Sequence, residues 1–292
     1  MRILNASGCL DALAAPDVAR SLDAFVSKTV TPLPREGNSP VRIAETESGM
    51  LNSIGLANPG IDVFVEEKLP ELLELGVSIW VSVGGFETSE YEELCARLDD
   101  REDVDAIELN LSCPNVDAVE VTTNEVVAAS RAVTDKPLYA KLSPAVPDIA
   151  EVARAAEGAG ADGVSLVNTI RGLAVDERTL GPVLGRGSGG YSGPALKPIA
   201  LAAVYASFRA VDIPIVGMGG IQTGRDVLEF VAAGAADVAL GTILFSDPAA
   251  PHRIRDELAA EVAAHGCSSA DDLRGVAHAA INPRLAVERS AT

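Results

Sequence analysis

Aromatic residues are scarce in this chain: one Trp, four Tyr and six Phe among 292 residues. A core of stacked rings is excluded, so the 48% of hydrophobic residues must pack mainly as Val, Ile, Leu and Ala. Such aliphatic cores suit parallel strands buried on both faces. Histidine is scarcer still, and His252, His265 and His278 all lie near the C-terminus. The commonest general base is therefore missing from most of the chain. Cys9, Cys95, Cys113 and Cys267 form no C-x-x-C pair and no cluster with the histidines. That excludes the usual zinc and iron–sulfur spacings within the chain. Nothing resembles a disulfide framework, which points to a reducing compartment. No run approaches the roughly 18 apolar residues of a membrane helix, and Met1-Arg2-Ile3-Leu4-Asn5 lacks the apolar region of a secretory signal. A cytoplasmic protein is expected. Basic residues are outnumbered 23 to 42, for a net charge of −19. This field repels polyanions and argues against nucleic acid as a partner. It reads either as a device for solubility or as adaptation to high salt, where ions screen the self-repulsion.

What the chain does have is alternation. Short aliphatic runs at Ile3–Ala6, Ala24–Ser27, Ser78–Val83, Ala106–Asn110, Leu138–Leu142, Gly163–Asn168, Ile213–Gly217 and Val238–Gly241 read as strands. Helical patterns fill Pro16–Asp23, Asp62–Leu75, Glu90–Leu98, Thr123–Ala132, Asp148–Glu157, Leu196–Arg209, Gly224–Ala233 and Pro248–Ala264. Asp148 and Thr223 are placed as caps, and Gly158 and Gly234 as stops. Eight strands, each followed by a helix, predict an α/β fold of the (β/α)8 TIM barrel class, a single domain over residues 1–292. The alternative, a doubly wound open sheet, is disfavoured because no G-x-G-x-x-G follows the first strand. Two connections, Lys28 to about Asn58 and Thr169 to about Gly193, are much longer than the rest. Both leave carboxyl ends of strands, where barrel enzymes carry their sites, and both are expected to be functional loops.

The run Asn110-Leu111-Ser112-Cys113-Pro114-Asn115 leaves the fourth strand and brings two carboxamides and a thiol together. Carboxamides both donate and accept, so they suit a planar, amide-rich ring. A lone Cys is more often a small buried hydrophobe, but one at a strand's carboxyl end among polar residues is a candidate catalyst. Lys28 directly follows an apolar strand, either aimed at the catalytic mouth or snorkelling to the surface. Lys141 lies inside an apolar strand, where an ammonium needs an anionic or electron-rich partner. Asn52, Ser53, Ile54, Gly55 and Leu56 form an amide- and glycine-rich stretch, a plain turn or a close approach to a ligand. Gly217-Met218-Gly219-Gly220 after strand seven and Gly241-Thr242 after strand eight occupy the two loops with which barrels often hold phosphate, aided by a helix N-terminus such as that at Thr223.

Taken together, these motifs resemble the class 1 dihydroorotate dehydrogenases, over nearly the whole chain. The resemblance is carried by Asn5-Ala6-Ser7-Gly8, Pro34-Arg35-Glu36-Gly37-Asn38, Arg42-Ile43-Ala44-Glu45-Thr46, the Asn52 and Cys113 loops, Val167-Asn168-Thr169, Ser192-Gly193-Pro194, Lys197-Pro198 and the two late glycine loops. It implies FMN as cofactor, oxidation of dihydroorotate to orotate in pyrimidine biosynthesis, and a homodimeric core. Asn168-Thr169 and the runs from Gly193 and Pro214 are similar to class 1B, which implies a second subunit carrying FAD and an iron–sulfur centre that passes electrons to NAD. Asn5 and Ser82 are similar to class 1A, which uses fumarate; class 1B usually has a flavin-contacting asparagine where Ser82 stands.

Carried over residue by residue, the resemblance gives Cys113 the proton from substrate carbon 5 while a hydride leaves carbon 6 for flavin nitrogen 5. Lys28 bridges flavin and substrate. Asn52, Asn110, Asn115, Asn168 and Thr169 bind the ring and carboxylate, with Ser53, Ile54, Gly55 and Leu56 beside them. Ala6, Ser7, Thr29, Ser82, Asn110, Val167 and Gly193 line the cofactor, and Lys141 stabilises charge on its reduced form. Gly219, Gly220, Gly241 and Thr242 hold its phosphate. No metal is expected. Two departures stand out. The chain starts almost at its first strand, so the family's bottom hairpin is expected to be missing, and the segment between Cys113 and Thr123 is short, which predicts a more open site. Rival readings are a flavin-dependent dihydropyrimidine dehydrogenase, a flavin-binding barrel without turnover, and, more distantly, a non-flavin barrel with a phosphate site.

Overall fold

The computed structural model describes residues 1–111 and 122–279. Its strands are β1 (Ile3–Asn5), β2 (Ala24–Val26), β3 (Ile43–Thr46), β4 (Gly49–Asn52), β5 (Ser78–Val83), β6 (Ala106–Asn110), β7 (Leu138–Leu142), β8 (Gly163–Leu166), β9 (Ile170–Gly172), β10 (Gly189–Ser192), β11 (Ile215–Met218) and β12 (Asp237–Leu240). Eight of them close into a parallel barrel in the order β1-β12-β11-β8-β7-β6-β5-β2, as the alternation predicts. The seam between β1 and β2 has one backbone pair, Leu4 with Ala24. Asn5 extends it with its side chain: Nδ2 donates to the Val26 carbonyl and Oδ1 accepts from the Val26 N–H, both at 2.8 Å. A carboxamide carries the same donor and acceptor as a peptide group, so it can stand in for one.

Side-chain alternation separates two cores. Leu138, Ala140 and Leu142 of β7 join the outer layer between strands and helices, whereas Tyr139 joins the inner one with Leu4, Val26, Trp80, Val216, Met218 and Ala239. By the same period of two, Glu108 and Asn110 on β6 and Lys141 on β7 point into the barrel. At the amino-terminal end the interior is plugged. The Arg2 guanidinium lies 5.1 Å from the Trp80 ring centre and grips Asp237 at 2.7 and 3.1 Å. Trp80 in turn packs 4.3 Å from Tyr139. Gly163 admits the Tyr139 ring, because a Cβ there would come within 2.3 Å of it.

Most expected elements shift by a residue or two. The strand expected from Ile213 starts at Ile215, after Pro214, which has no N–H for the ladder. The helix expected over Asp62–Leu75 is broken into Ile61–Val63, a wide π turn at Phe64–Lys68, and Leu69–Leu73. Pro70 would interrupt regular α bonding there, and the wide turn accommodates it. Asp148 caps its helix by accepting from Ala150 and Glu151 at 2.9 and 3.2 Å. Gly158 is the last residue of that helix rather than its stop, and the chain turns at Gly160, with φ at 101°.

The two long connections hold strands the sequence patterns do not reveal. β3 and β4 come from the first, β9 and β10 from the second, and they interleave as an antiparallel crown in the order β3-β4-β10-β9. Its buried core is small: Ala44, Leu51 and Leu184. Close backbone approach holds it down, since a Cβ on Gly49 would lie 2.2 Å from the Ser192 carbonyl. The Tyr191 hydroxyl donates to the Ser48 carbonyl at 2.8 Å.

Candidate active site

Between the barrel's carboxyl-terminal mouth and the crown lies a cleft. Its floor and walls come from residues at strand ends: Ala6 and Ser7 after β1, Lys28 and Thr29 after β2, Asn110 on β6, Lys141 on β7, Val167, Asn168 and Thr169 after β8, Gly219 and Gly220 after β11, and Gly241 and Thr242 after β12. The crown and its flanks add Asn52, Ile54, Gly55, Leu56 and Gly193.

The polar wall is wired before any ligand arrives. Asn110 Nδ2 donates to Thr29 Oγ1 at 3.0 Å, and Asn168 Nδ2 donates to Asn110 Oδ1 at 3.2 Å. The Thr169 N–H donates to Asn168 Oδ1 at 2.8 Å. Ser82 does not line the cleft. It is fully buried, its hydroxyl lies 3.0 Å from Thr29 Oγ1, and it meets the site only through Thr29. Ser53 likewise stays beneath the surface, accepting from Asn38 Nδ2 at 2.9 Å and so bracing the loop. Gly55 and Leu56 both adopt positive φ, 73° and 58°. Any side chain on Gly55 would collide with Asn38, and the Leu56 carbonyl is held by Asn58 Nδ2 at 2.7 Å. A non-glycine residue in that region carries strain of the kind that collects at ligand sites.

Lys28 lies across Gly8, where a Cβ would sit 2.9 Å from its Cδ. Lys141 is 5% exposed, and its Nζ stands 3.7 Å from Glu108 Oε1, so its anionic partner belongs to the protein. Among the described residues lining the cleft, these two lysines are the charged side chains. Gly219 and Gly220 take φ of 124° and 77°, and a Cβ on Gly220 would meet Lys197 N at 2.8 Å and the Gly193 carbonyl at 2.9 Å. Only glycine permits that approach. The N–H groups of Gly220 and Thr242 donate to no other group among the described residues.

The helix that begins after Thr223 is a correction. Its end is already satisfied by carboxylates: Asp226 accepts from the Gln222 and Thr223 N–H groups at 2.8 and 2.9 Å, and Glu257 from Gly224 at 2.8 Å. It does not line the cleft. Cys113 and Asn115 lie outside the described residues, as does the short segment before Thr123.

Sequence reasoning missed Gly8, Cys9, Ile43, Met50, Leu196, Met218 and Phe245 in the lining. Gly8 and Cys9 follow β1 and were open to the strand-end rule; Ile43 and Met50 required knowledge of the crown. Burial pushes the Cys9 thiol's pKa up, and Lys141 and Lys28 draw it only part of the way back. None of the histidines lines the cleft; His278 stacks on Tyr205 with ring centres 4.0 Å apart. Among the described residues no cluster of three or more metal-ligating side chains forms, and no helix is long and apolar enough to cross a membrane.

A family model described as dihydroorotate dehydrogenase matches residues 2–262. The chain belongs to this family. It is similar to the dihydroorotate dehydrogenase B (NAD(+)) catalytic subunit of Desulforamulus reducens, with 46% identity over 88% of this chain and 87% of that one. The same-named protein of Listeria monocytogenes is 45% identical over 87% and 86%. A Solibacter usitatus protein provisionally named dihydroorotate dehydrogenase A (fumarate) is 47% identical over 87% and 86%. Overall likeness therefore does not separate the two acceptor types. A solved dihydroorotate dehydrogenase of Eimeria tenella, in complex with ferulenol, matches with a TM-score of 0.81 at 23% identity, covering 94% of this chain and 85% of that one. That likeness supports the fold.

Proposed function

We propose that this single-domain chain is the FMN-binding catalytic subunit of a cytoplasmic dihydroorotate dehydrogenase, oxidising dihydroorotate to orotate in pyrimidine biosynthesis. The observation that carries the reading is the cleft itself: two lysines, three carboxamides and two tight glycine turns converge at one barrel mouth. The residues fit a flavin mononucleotide. Gly219, Gly220, Gly241 and Thr242 would hold its phosphate through backbone N–H groups, and Ala6, Ser7, Thr29, Val167 and Gly193 would line it. Bound there, the flavin supplies a two-electron acceptor for the substrate's oxidation.

The chain's own residues do the rest. Lys28 neutralises the substrate carboxylate, and Asn52, Asn110, Asn115 and Asn168, with Thr169, orient the ring through its amides. Cys113 removes the proton from carbon 5. A free thiol ionises near pH 8.5, about two units above a free histidine, so turnover rises with pH through the Cys113 transition. Cys9 suits that role poorly, because burial disfavours its thiolate. Lys141 stabilises the negative charge that accompanies reduction.

An anionic ring is favoured over a neutral dihydropyrimidine by the lysine pair at the cleft. Steady-state assays with dihydroorotate and dihydrouracil test this: dihydroorotate should be preferred by at least about a hundredfold in kcat/KM, because a site built to bind a polar group rejects an analogue that lacks it. A preference for dihydrouracil would overturn the reading. We assign the oxidative half-reaction to NAD through a second subunit bearing FAD and an iron–sulfur centre, around a homodimeric core. Direct reoxidation by fumarate would contradict the NAD assignment.

A further inference from the structure

Directly beneath the cleft the barrel interior holds a charged group that the reaction above does not use. Glu108 is 1% exposed and does not line the cleft, although Asn110, two residues further along the same inward face of β6, does. In the β6–β7 ladder Glu108 pairs with Tyr139 and Asn110 with Lys141. Glu108 therefore sits one layer below the lysine, on the side away from the mouth. A buried carboxylate is costly unless it serves a partner.

We propose that Glu108 is a positioning residue that fixes and charge-balances Lys141 at the wall of the cleft. This inference rests on the flavin reading above. The separation of 3.7 Å is too long for a hydrogen bond, and Glu108 Oε1 has no hydrogen-bond partner. The carboxylate therefore offsets the ammonium without taking one of its three donors. Ser82 and Ser165 flank the pair in the neighbouring ladders, and neither brings charge. The lining carries two lysines and no carboxylate among the described residues, so Glu108 offsets the charge of Lys141 from one layer below the cleft. Without Glu108, both lysines would favour negative charge on the cofactor and would hold the reduced state too firmly to pass electrons on.

The test is the ratio of affinities for reduced and oxidised FMN, measured by anaerobic titration of apoprotein and checked by dye-equilibrated midpoint potential. Glu108→Gln should raise that ratio about tenfold, because it adds one net positive charge in a low-dielectric interior. Glu108→Asp keeps the charge but withdraws it by one methylene, so it should give a smaller rise in the same direction. It also carries the test if the Gln protein fails to fold. An unchanged or lowered ratio in a folded variant, with only the melting temperature moved, would reduce Glu108 to a packing role and overturn the proposal. Flavin uptake by the unmodified protein, measured in the same series, tests the functional reading separately.

Discussion

The barrel and the crown are built on different terms. The barrel strands bury alternate side chains, in one core beneath the helices and, for all but β8, in a second core inside. The crown has three buried hydrophobic residues and keeps its shape through close backbone contacts and a few hydrogen bonds. Both regions contribute to the cleft, but the barrel's share is rigid by packing whereas the crown's can open at low cost. Regions with little buried apolar contact supply the low end of a protein's local stabilities. The comparison teaches a structural division: the barrel holds Gly219, Gly220 and Lys141 at the cleft floor, and the crown adds Asn52 and its flanking loop above them.

The largest effect expected from the proposed reaction concerns Cys113. Cys113→Ser should lower turnover near neutrality by about 10²–10⁴-fold, the usual worth of a general base. It should leave flavin content and the melting temperature unchanged. Turnover preserved at neutral pH would remove Cys113 from the role.

Next, two leucines of nearly equal burial sharpen the contrast directly. Leu109 of β6 is 0% exposed and Leu51 of β4 is 1% exposed. Leu109→Ala should cost about 2–5 kcal/mol of global stability, as cavities in packed cores do. Leu51→Ala should move the global transition much less. It should instead speed amide exchange in residues 43–52 and 189–192 and raise the KM for substrate. Equal losses of global stability would mean that the crown is part of the barrel's cooperative unit.

The barrel was legible because its residues repeat a rule. Val, Ile, Leu and Ala recur at strand spacing, with helical patterns and caps such as Asp148 and Thr223 between them. The crown was not, because β3 and β4 are four residues each with a single buried side chain apiece, Ala44 and Leu51. Their pairing with β9 and β10 is a long-range event that no local pattern announces. At the site, residues at strand ends were readable from position, as Lys28 and Asn110 were. Ser82 and Ser53 were not distinguishable from lining residues, because one layer of depth separates support from contact. Glu108 was passed over for a related reason: a single acidic residue within an apolar strand gives no hint of the lysine across the ladder.

A smaller effect is expected where the glycine turn is braced. Lys197 Nζ meets Asp226 and Glu229 at 2.5 and 3.0 Å. Burial alone would raise the Asp226 pKa, but Lys197, the Gln222 N–H and the Thr223 side chain together outweigh it and hold the carboxyl below its usual value. A depressed carboxylate contributes stability that is fully present above the unfolded value of about 3.9 and is lost as pH falls through the lower folded value. Lys197→Met should therefore cost about 1–3 kcal/mol at neutral pH. It should also bring acid unfolding on at higher pH and weaken FMN binding. Unchanged acid unfolding would show that Lys197 does not brace the turn.

The smallest expected effect is spread over the surface. With a net charge of −19, the melting temperature should rise from low to molar salt as self-repulsion is screened. A flat or falling response would leave the acidic surface as a solubility device only.

The most direct test of the account is anaerobic addition of dihydroorotate to the flavin-loaded protein, with the visible flavin band followed. The account predicts rapid bleaching of the yellow colour with one equivalent of orotate formed per flavin. A protein that binds flavin but stays yellow, or that takes up none, would contradict it.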